Sequence, residues 1–290
     1  MVTDARAAEL EAPELAGYAD LWAAAPERIA ASLGLGAARC GAARAVAAAA
    51  HPGVRLFNHA LGLPAEEPFD AQVAVALEAF FARHGGPALV ALREGAVGEG
   101  LLTARGYRPD YAWIKFARGT EPPASPATDL AVRRLGARDG PALGALLAAT
   151  FGMPAAFAAW LAVLPRRRGW HCFGAHDGPE LVAAGALFAS ADAGWLAFGA
   201  TDPAHRGRGA HKALFAARIE RARALGLRRL VVETGEQAPG RPDPSYRNII
   251  AAGFRPVYRR PFWRGPDPIS PEGRAPQAAM CTWPPRSTAR

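Results

Sequence analysis

A six-residue segment that occurs twice constrains this chain more than any other feature. Gly106-Tyr107-Arg108-Pro109-Asp110-Tyr111 returns as Gly253-Phe254-Arg255-Pro256-Val257-Tyr258. Each copy follows a short Ala/Leu-rich stretch of helical spacing. Each then leads into an aromatic, strand-like segment, over 112–116 in the first copy and 259–263 in the second. Two distant copies of one helix–turn–strand unit argue for tandem related domains, because a solenoid shows more copies at a shorter period. The 290 residues fit two domains of ordinary size, and a hydrophobic share of 50% supplies two cores and excludes a disordered chain.

Between the copies, Gly119-Thr120-Glu121-Pro122-Pro123-Ala124-Ser125-Pro126-Ala127-Thr128 holds three prolines and reads as an extended connector. The expected division is therefore a first domain over 1–118, a linker over 119–128 and a second domain over 129–290. From Gly265 onward the chain is again Pro-rich, with a last strand expected near 278–283.

In the second half, a strand is expected over 130–135, helices over 138–151 and 154–164, and strands over 172–175, 181–189 and 194–201. After a loop over 202–209 comes a helix whose apolar stripe is Leu214, Phe215, Ile219 and Leu225, with Arg218, Arg221 and Arg223 largely off it. Leu230-Val231-Val232 is the next strand. This order gives a mixed sheet with helices on its faces. The first half shows a fainter version: a strand over 54–61, a helix over 70–83, a strand over 88–92 and a helix over 97–105.

The net charge of +8 is not a nucleic-acid signal. All but two of the 34 basic residues are arginines, scattered from Arg6 to Arg290 rather than gathered on one stripe. Cys40, Cys172 and Cys281 are far apart and lack metal-ligand or disulfide-framework spacing. His51, His59, His84, His171, His176 and His205 likewise show no metal-ligand spacing, and no metal is expected. Trp160, Trp170 and Trp195 read as core or cleft-wall aromatics. There is no apolar run of membrane-spanning length, and Met1-Val2-Thr3-Asp4-Ala5-Arg6 carries an acid where a signal peptide is basic. A soluble cytoplasmic protein is expected, a monomer or homodimer, with no membrane or nucleic-acid partner.

Chemistry concentrates in Thr201-Asp202-Pro203-Ala204-His205-Arg206-Gly207-Arg208-Gly209-Ala210-His211-Lys212, between a strand end and an amphipathic helix. Gly207 and Gly209 let a ligand approach the main chain. The helix start offers unpaired N–H groups at the positive end of its dipole. With Arg206, Arg208 and Lys212 alongside, the expected guest is a phosphate or pyrophosphate. A phosphate-binding P-loop is excluded because Ala213 follows Lys212, and the dinucleotide fingerprint fails because Lys212 stands where its third glycine falls. No Gly-x-Ser-x-Gly elbow is present, and Ser245 reads as a helix N-cap.

Pro203-Ala204-His205-Arg206-Gly207-Arg208-Gly209 with its following helix resembles the acetyl-CoA loop of the GNAT acyltransferase superfamily. Tyr246-Arg247-Asn248-Ile249-Ile250-Ala251-Ala252-Gly253-Phe254 resembles the same superfamily's helix and Gly-Phe turn. The resemblance covers roughly 130–263, and less fully 54–118. It implies an α/β fold of two tandem GNAT-like domains, each a twisted, mostly antiparallel mixed sheet flanked by helices. The second domain would carry a V-shaped splay that admits the pantetheine arm of acetyl-CoA.

Carried over, main-chain groups of Phe198, Gly199, Ala200 and Thr201 would hold that arm. Backbone N–H groups of Arg206, Gly207, Arg208, Gly209, Ala210, His211 and Lys212 would hold the pyrophosphate. His211 departs from the small residue usual at its position, and its imidazole could itself donate to a phosphate. Ile249 stands where many members carry an acid tyrosine, so Tyr246, one turn earlier, is the candidate acid. Glu233, at a strand end, is the candidate base, with Glu236 second.

The implied activity is N-acetyl transfer from acetyl-CoA to a small-molecule or peptide amine by direct attack. The alternative is a non-catalytic acyl-CoA-binding module. The first domain lacks the basic loop: its segment from Phe57 to Glu67 is acidic, and it reads as a degenerate copy.

Overall fold

The computed structural model describes residues 3–62, 69–237 and 243–267. Its elements run α1 (Asp4–Ala23), α2 (Glu27–Leu33), β1 (Leu35–Cys40), β2 (Ala43–Ala48), β3 (His59–Leu61), α3 (Ala71–Arg83), β4 (Leu89–Ala91), α4 (Gly98–Ala104), β5 (Arg108–Arg118), β6 (Ala131–Arg134), α5 (Gly140–Thr150), α6 (Ala156–Leu161), β7 (Trp170–Asp177), β8 (Glu180–Ser190), β9 (Ala193–Thr201), α7 (Ala210–Ala224), β10 (Arg229–Gly235), α8 (Pro244–Ala251) and β11 (Arg255–Arg264). The strand expected near 278–283 lies outside the described residues.

The repeated segment makes the same structure twice. Gly106 and Gly253 sit just past α4 and α8 with φ of 80° and 85°, a conformation only glycine takes without cost. Tyr107 N–H bonds the Leu102 carbonyl at 3.0 Å, and Phe254 N–H bonds the Ile249 carbonyl at 3.2 Å. Both are the six-to-one closure of a glycine-terminated helix, with the following aromatic buried as its hydrophobic contact. The chain then extends into β5 or β11.

The compact units do not follow the linear division at 119–128. One gathers the described residues within Met1–Leu15, Ala30–Ile114 and Tyr258–Arg290; the other those within Ala16–Ile29 and Lys115–Val257. The cause lies in strand pairing: Phe262, Trp263 and Arg264 of β11 pair antiparallel with Ala91, Val90 and Leu89 of β4, so the last strand joins the first unit.

In that first unit β1 and β2 form an antiparallel hairpin, β2 pairs with β3, and β3 meets β4 in parallel at Ala60–Val90. The strand expected over 54–61 shrinks to His59–Leu61, because residues 55–57 form a 3-10 turn that Asn58 ties to the carbonyls of His51 and Val54. Inside, Arg260 at 1% exposure bonds Glu14 through both terminal nitrogens, at 2.8 and 2.9 Å, and Tyr258 donates to Glu11.

In the second unit the strands run β6–β7–β8–β9–β10, antiparallel except for the parallel pair β9–β10. α7 packs across β7, β8 and β9, and α5 packs on α6 and on β8 and β9. The end of α1 is anchored here: Trp160 Nε1 donates to the Leu21 carbonyl, and Trp170 Nε1 donates to Asp20, which also binds Arg167. Among the described residues no helix is long and apolar enough to cross a membrane.

α5 approaches α6 through glycines one turn apart. A Cβ at Gly144 would stand 2.0 Å from the Ala158 carbonyl oxygen, and one at Gly140 2.3 Å from that of Ala162. Gly144→Ala is expected to cost about 1–3 kcal/mol, read as a lower urea midpoint, because backbone rather than a side-chain tip must move. Gly100→Ala, on α4 with open space around its Cβ, is expected to add about 0.5–1 kcal/mol of stability, read as a higher urea midpoint.

Candidate functional site

The site begins where a strand pair stops. β9 pairs with β10 only at Ala193–Trp195, opposite Arg229–Val231, although β9 runs to Thr201 and β10 to Gly235. The edge of β9 beyond Trp195 therefore lacks a β10 partner. On its other side, β9 pairs with β8 in a register that jumps from Ala186–Ala197 to Ala184–Ala200. Phe198 and Gly199 together face Gly185, a bulge that bends the strand.

At its centre Phe198 has φ of 54°, a left-handed conformation that costs a phenylalanine on the order of 1–2 kcal/mol. Packing holds it there: its ring lies 5.8 Å from Trp170 and 6.0 Å from Trp195. Arg218 fills the space behind the bulge at 1% exposure. Its Nε donates to the Leu214 carbonyl at 2.9 Å and its Nη1 to the carbonyls of Ala186 and Ala197, at the rim of the bulge. A Cβ at Gly185 would come within 2.8 Å of its Cζ. Burial pulls the Arg218 pKa down to about 9. Arg218, expected largely off the apolar stripe, is buried on it; its spacing of four from Leu214 and three from Phe215 is the sequence signal that places it there.

The start of α7 supplies the second part. Its N-cap is Gly209, at φ of 79° and without a capping side chain, so the first-turn N–H groups of Ala210, His211 and Lys212 have no intrahelical acceptor. A Cβ at Gly209 would lie 2.3 Å from the Ala127 carbonyl oxygen. The Pro-rich connector is docked on this loop: Thr128 Oγ1 donates to the Arg208 carbonyl at 2.8 Å. Arg208 itself is gripped by Asp177 at 2.5 Å and by Asp129, and its guanidinium holds both carboxyls below their usual range. Its charge is thus met by carboxylates, where the sequence placed it beside a phosphate; the exposed Arg206 and Lys212 remain on the loop.

These parts share a cleft of about 1140 Å³. Its walls include Gly199, Ala200 and Thr201 of β9, residues 205–212, Pro126 to Asp129 of the connector, and Ser245 and Asn248 of α8. Of the expected cofactor-binding residues, Phe198 lies behind the wall, 7% exposed. The contributions of the connector, of Asn248 and of Arg218 were not foreseen. They depend on contacts between segments remote in sequence.

The two expected catalytic side chains stand apart from this lining. Glu233 accepts from Lys115 Nζ at 2.9 Å and from Trp195 Nε1 at 2.7 Å, with the lysine side chain fully buried and the glutamate 8% exposed. Tyr246 is partly buried and meets Phe116 edge-on at 5.0 Å. Ile249 is wholly buried. The N-cap of α8 is Asp243, whose carboxylate accepts from the Ser245 N–H, in place of the expected Ser245. No group of three or more His, Cys, Asp or Glu side chains among the described residues is arranged to hold a metal.

Removing one member of a buried ion pair costs about 3–5 kcal/mol. Glu233→Gln is expected to lower thermal stability by that order, and Lys115→Met added to it to recover most of the loss. A second expectation concerns pH. Burial holds His211 near 3, with Arg218 adding to the effect, and burial holds His171 near 4, against about 6.5 in an unfolded chain. Between pH 6.5 and 4 the unfolded chain binds more protons at these sites, so stability falls as pH falls through that window. The unfolding free energy at pH 4.5, read from urea titration, is expected to drop by on the order of 1–2 kcal/mol per histidine, and His171→Gln to flatten the slope.

The sequence model of the Acetyltransferase (GNAT) family matches residues 143–240. No curated protein matches the chain. Among solved structures, a GCN5-related N-acetyltransferase from Kribbella flavida is similar at 18% identity and TM-score 0.57, covering 80% of this chain and 90% of its own. One from Sphaerobacter thermophilus is similar at 21% identity and TM-score 0.53, covering 62% of this chain; the match spans 59% of that protein. A tandem GNAT protein from the clavulanic acid biosynthesis pathway is similar at 17% identity and TM-score 0.52, covering 87% of this chain and 94% of its own. With the splayed strands, the bulge and the glycine-capped helix start already in place, residues 143–240 match the GNAT acetyltransferase family model, and the chain has a mixed α/β fold similar to that of solved GNAT structures, a tandem GNAT protein among them.

Proposed function

We propose that the chain is an N-acetyltransferase that moves the acetyl group of acetyl-CoA to an amine acceptor. The observation that carries this reading is that the open edge of β9 and the capless start of α7 border one cleft. Acyl-CoA has two matching parts. Its arm bears amide groups that an unpaired strand edge can bond as an added strand. Its pyrophosphate suits the N–H groups and positive dipole end of a helix start. At Gly209 a side chain would meet the Ala127 carbonyl of the connector, so the loop before the helix start keeps its tight turn, and Arg206 and Lys212 add positive charge at the mouth.

In the reaction, the amine lone pair attacks the thioester carbonyl carbon and the C–N bond forms. The tetrahedral intermediate then expels the CoA thiolate with the C–S electron pair, and the ammonium proton is lost. For a lysine-like acceptor, reaching the neutral amine at pH 7 costs roughly 4.6 kcal/mol. We assign Glu233 as the counter-ion of Lys115 rather than the base, so deprotonation runs through solvent in the cleft. Tyr246 does not itself line the cleft but lies on α8 between the lining residues Ser245 and Asn248; it stays the proposed donor to the thiolate, and Tyr246→Phe is expected to lower kcat with little change in KM. Direct attack is favoured over a covalent acyl-enzyme because the two cysteines among the described residues, Cys40 and Cys172, are buried, and burial pushes the Cys172 thiol up to about 12.

A second reading, a non-catalytic acyl-CoA-binding module, is favoured by one observation: the position expected to hold the acid tyrosine is Ile249, sealed in the core. Thiol release separates the two. Acetyl-CoA is incubated with the protein and polyamines, amino acids, aminoglycosides or peptide N-termini. CoA release above background with one class is expected. Binding without release from any class would favour the module, and no binding at millimolar acetyl-CoA would overturn both.

A further inference from the structure

Among the cleft-lining side chains that the transfer reaction has not used is His211. It is the second residue of α7 and lines the cleft with Gly199 and Asn248. Its ring is fixed on three sides. The Asn248 Nδ2 amide donates to Nδ1 at 3.1 Å, the Phe215 ring lies 4.9 Å away, and a Cβ at Gly199 would come 2.9 Å from Nε2. An amide nitrogen only donates, so Nδ1 is the acceptor and the proton sits on Nε2. That N–H is thereby directed at the backbone of the bulge, where β9 has left β10. Burial and the nearby Arg218 keep the ring neutral across the physiological range, which suits a hydrogen-bond donor and not a proton carrier.

The ring's place along the cleft selects its target. Its own backbone N–H belongs to the anion-binding turn, while its imidazole reaches the opened strand edge. It stands at the junction between the phosphate end and the arm end. We infer that His211, oriented by Asn248, donates Nε2–H to a carbonyl oxygen of the acyl-CoA arm where that arm passes Gly199. This rests on the reading of the cleft as an acyl-CoA site and adds the group that grips the arm. It differs from a histidine donating to phosphate, which would contact the nucleotide end alone.

Two ligands separate these cases: acetyl-CoA, and 3′-phospho-ADP, which has the nucleotide and pyrophosphate but no arm. Affinities are measured for the wild type, His211→Ala, His211→Gln and Asn248→Ala. His211→Ala is expected to weaken acetyl-CoA about 3- to 10-fold, the loss of one hydrogen bond, and to leave 3′-phospho-ADP within about twofold. His211→Gln, with an amide N–H, is expected to recover part of the loss. Asn248→Ala, a change on the surface of α8, is expected to weaken acetyl-CoA selectively as well. Equal loss for both ligands, or unchanged acetyl-CoA affinity in His211→Ala and Asn248→Ala, would overturn the inference. Failure of the wild type to bind acetyl-CoA while it binds 3′-phospho-ADP would instead overturn the acyl-CoA reading itself.

Discussion

The bulge at Phe198 is the constraint on which the second unit depends. A parallel strand pair has no reason to open while its ladder continues, since each lost hydrogen bond leaves polar backbone to be satisfied elsewhere. Here the extra residue opposite Gly185 bends β9 away from β10. The cost of a left-handed phenylalanine is offset by its burial among Trp170 and Trp195. The carbonyls at the rim of the bulge find a donor in Arg218, and Gly185 leaves room for its guanidinium. Three local departures from regular structure thus support one another, and their joint product is an unpaired edge.

The electrostatics at the other end of the cleft show why charge counts mislead. Arg208 sits in the loop that sequence reading marks as an anion site, yet Asp129 and Asp177 meet its charge. What it contributes is shape: with Thr128 it pins the connector to the loop, so that Ala127 and Gly209 close on each other. What remains at this end of the cleft is the uncapped start of α7, with Arg206 and Lys212 exposed beside it. Glu233 shows the same principle from the opposite sign, a carboxylate whose charge is held by a buried lysine.

The duplication appears as repeated backbone chemistry more than as repeated function. α4 and α8 end on the same glycine-terminated turn and launch β5 and β11 with the same buried aromatic. The first unit nevertheless spends its buried charges on an internal network of Arg260, Glu14, Glu11 and Tyr258. Much of the acidic segment that sequence comparison sets against the basic loop lies outside the described residues.

From 130 to 263 the elements were legible because apolar periodicity and turn residues mark them directly. The first fifty residues were not. β1 and β2 are built largely of alanine, with Ala43, Ala45, Ala47 and Ala48 each at 0% exposure, and alanine carries no strand signal to read. The glycine turns, the glycine-capped loop before α7 and the repeat were determined by sequence alone, because a positive φ or a helix start is a local property of a few adjacent residues. Which strand β11 joins, that Arg218 is interior, that Arg208 is neutralised and that His211 faces Gly199 were decided only by tertiary structure. Each depends on partners tens of residues away or more, and pairing over that distance is chosen by packing, which no local pattern records.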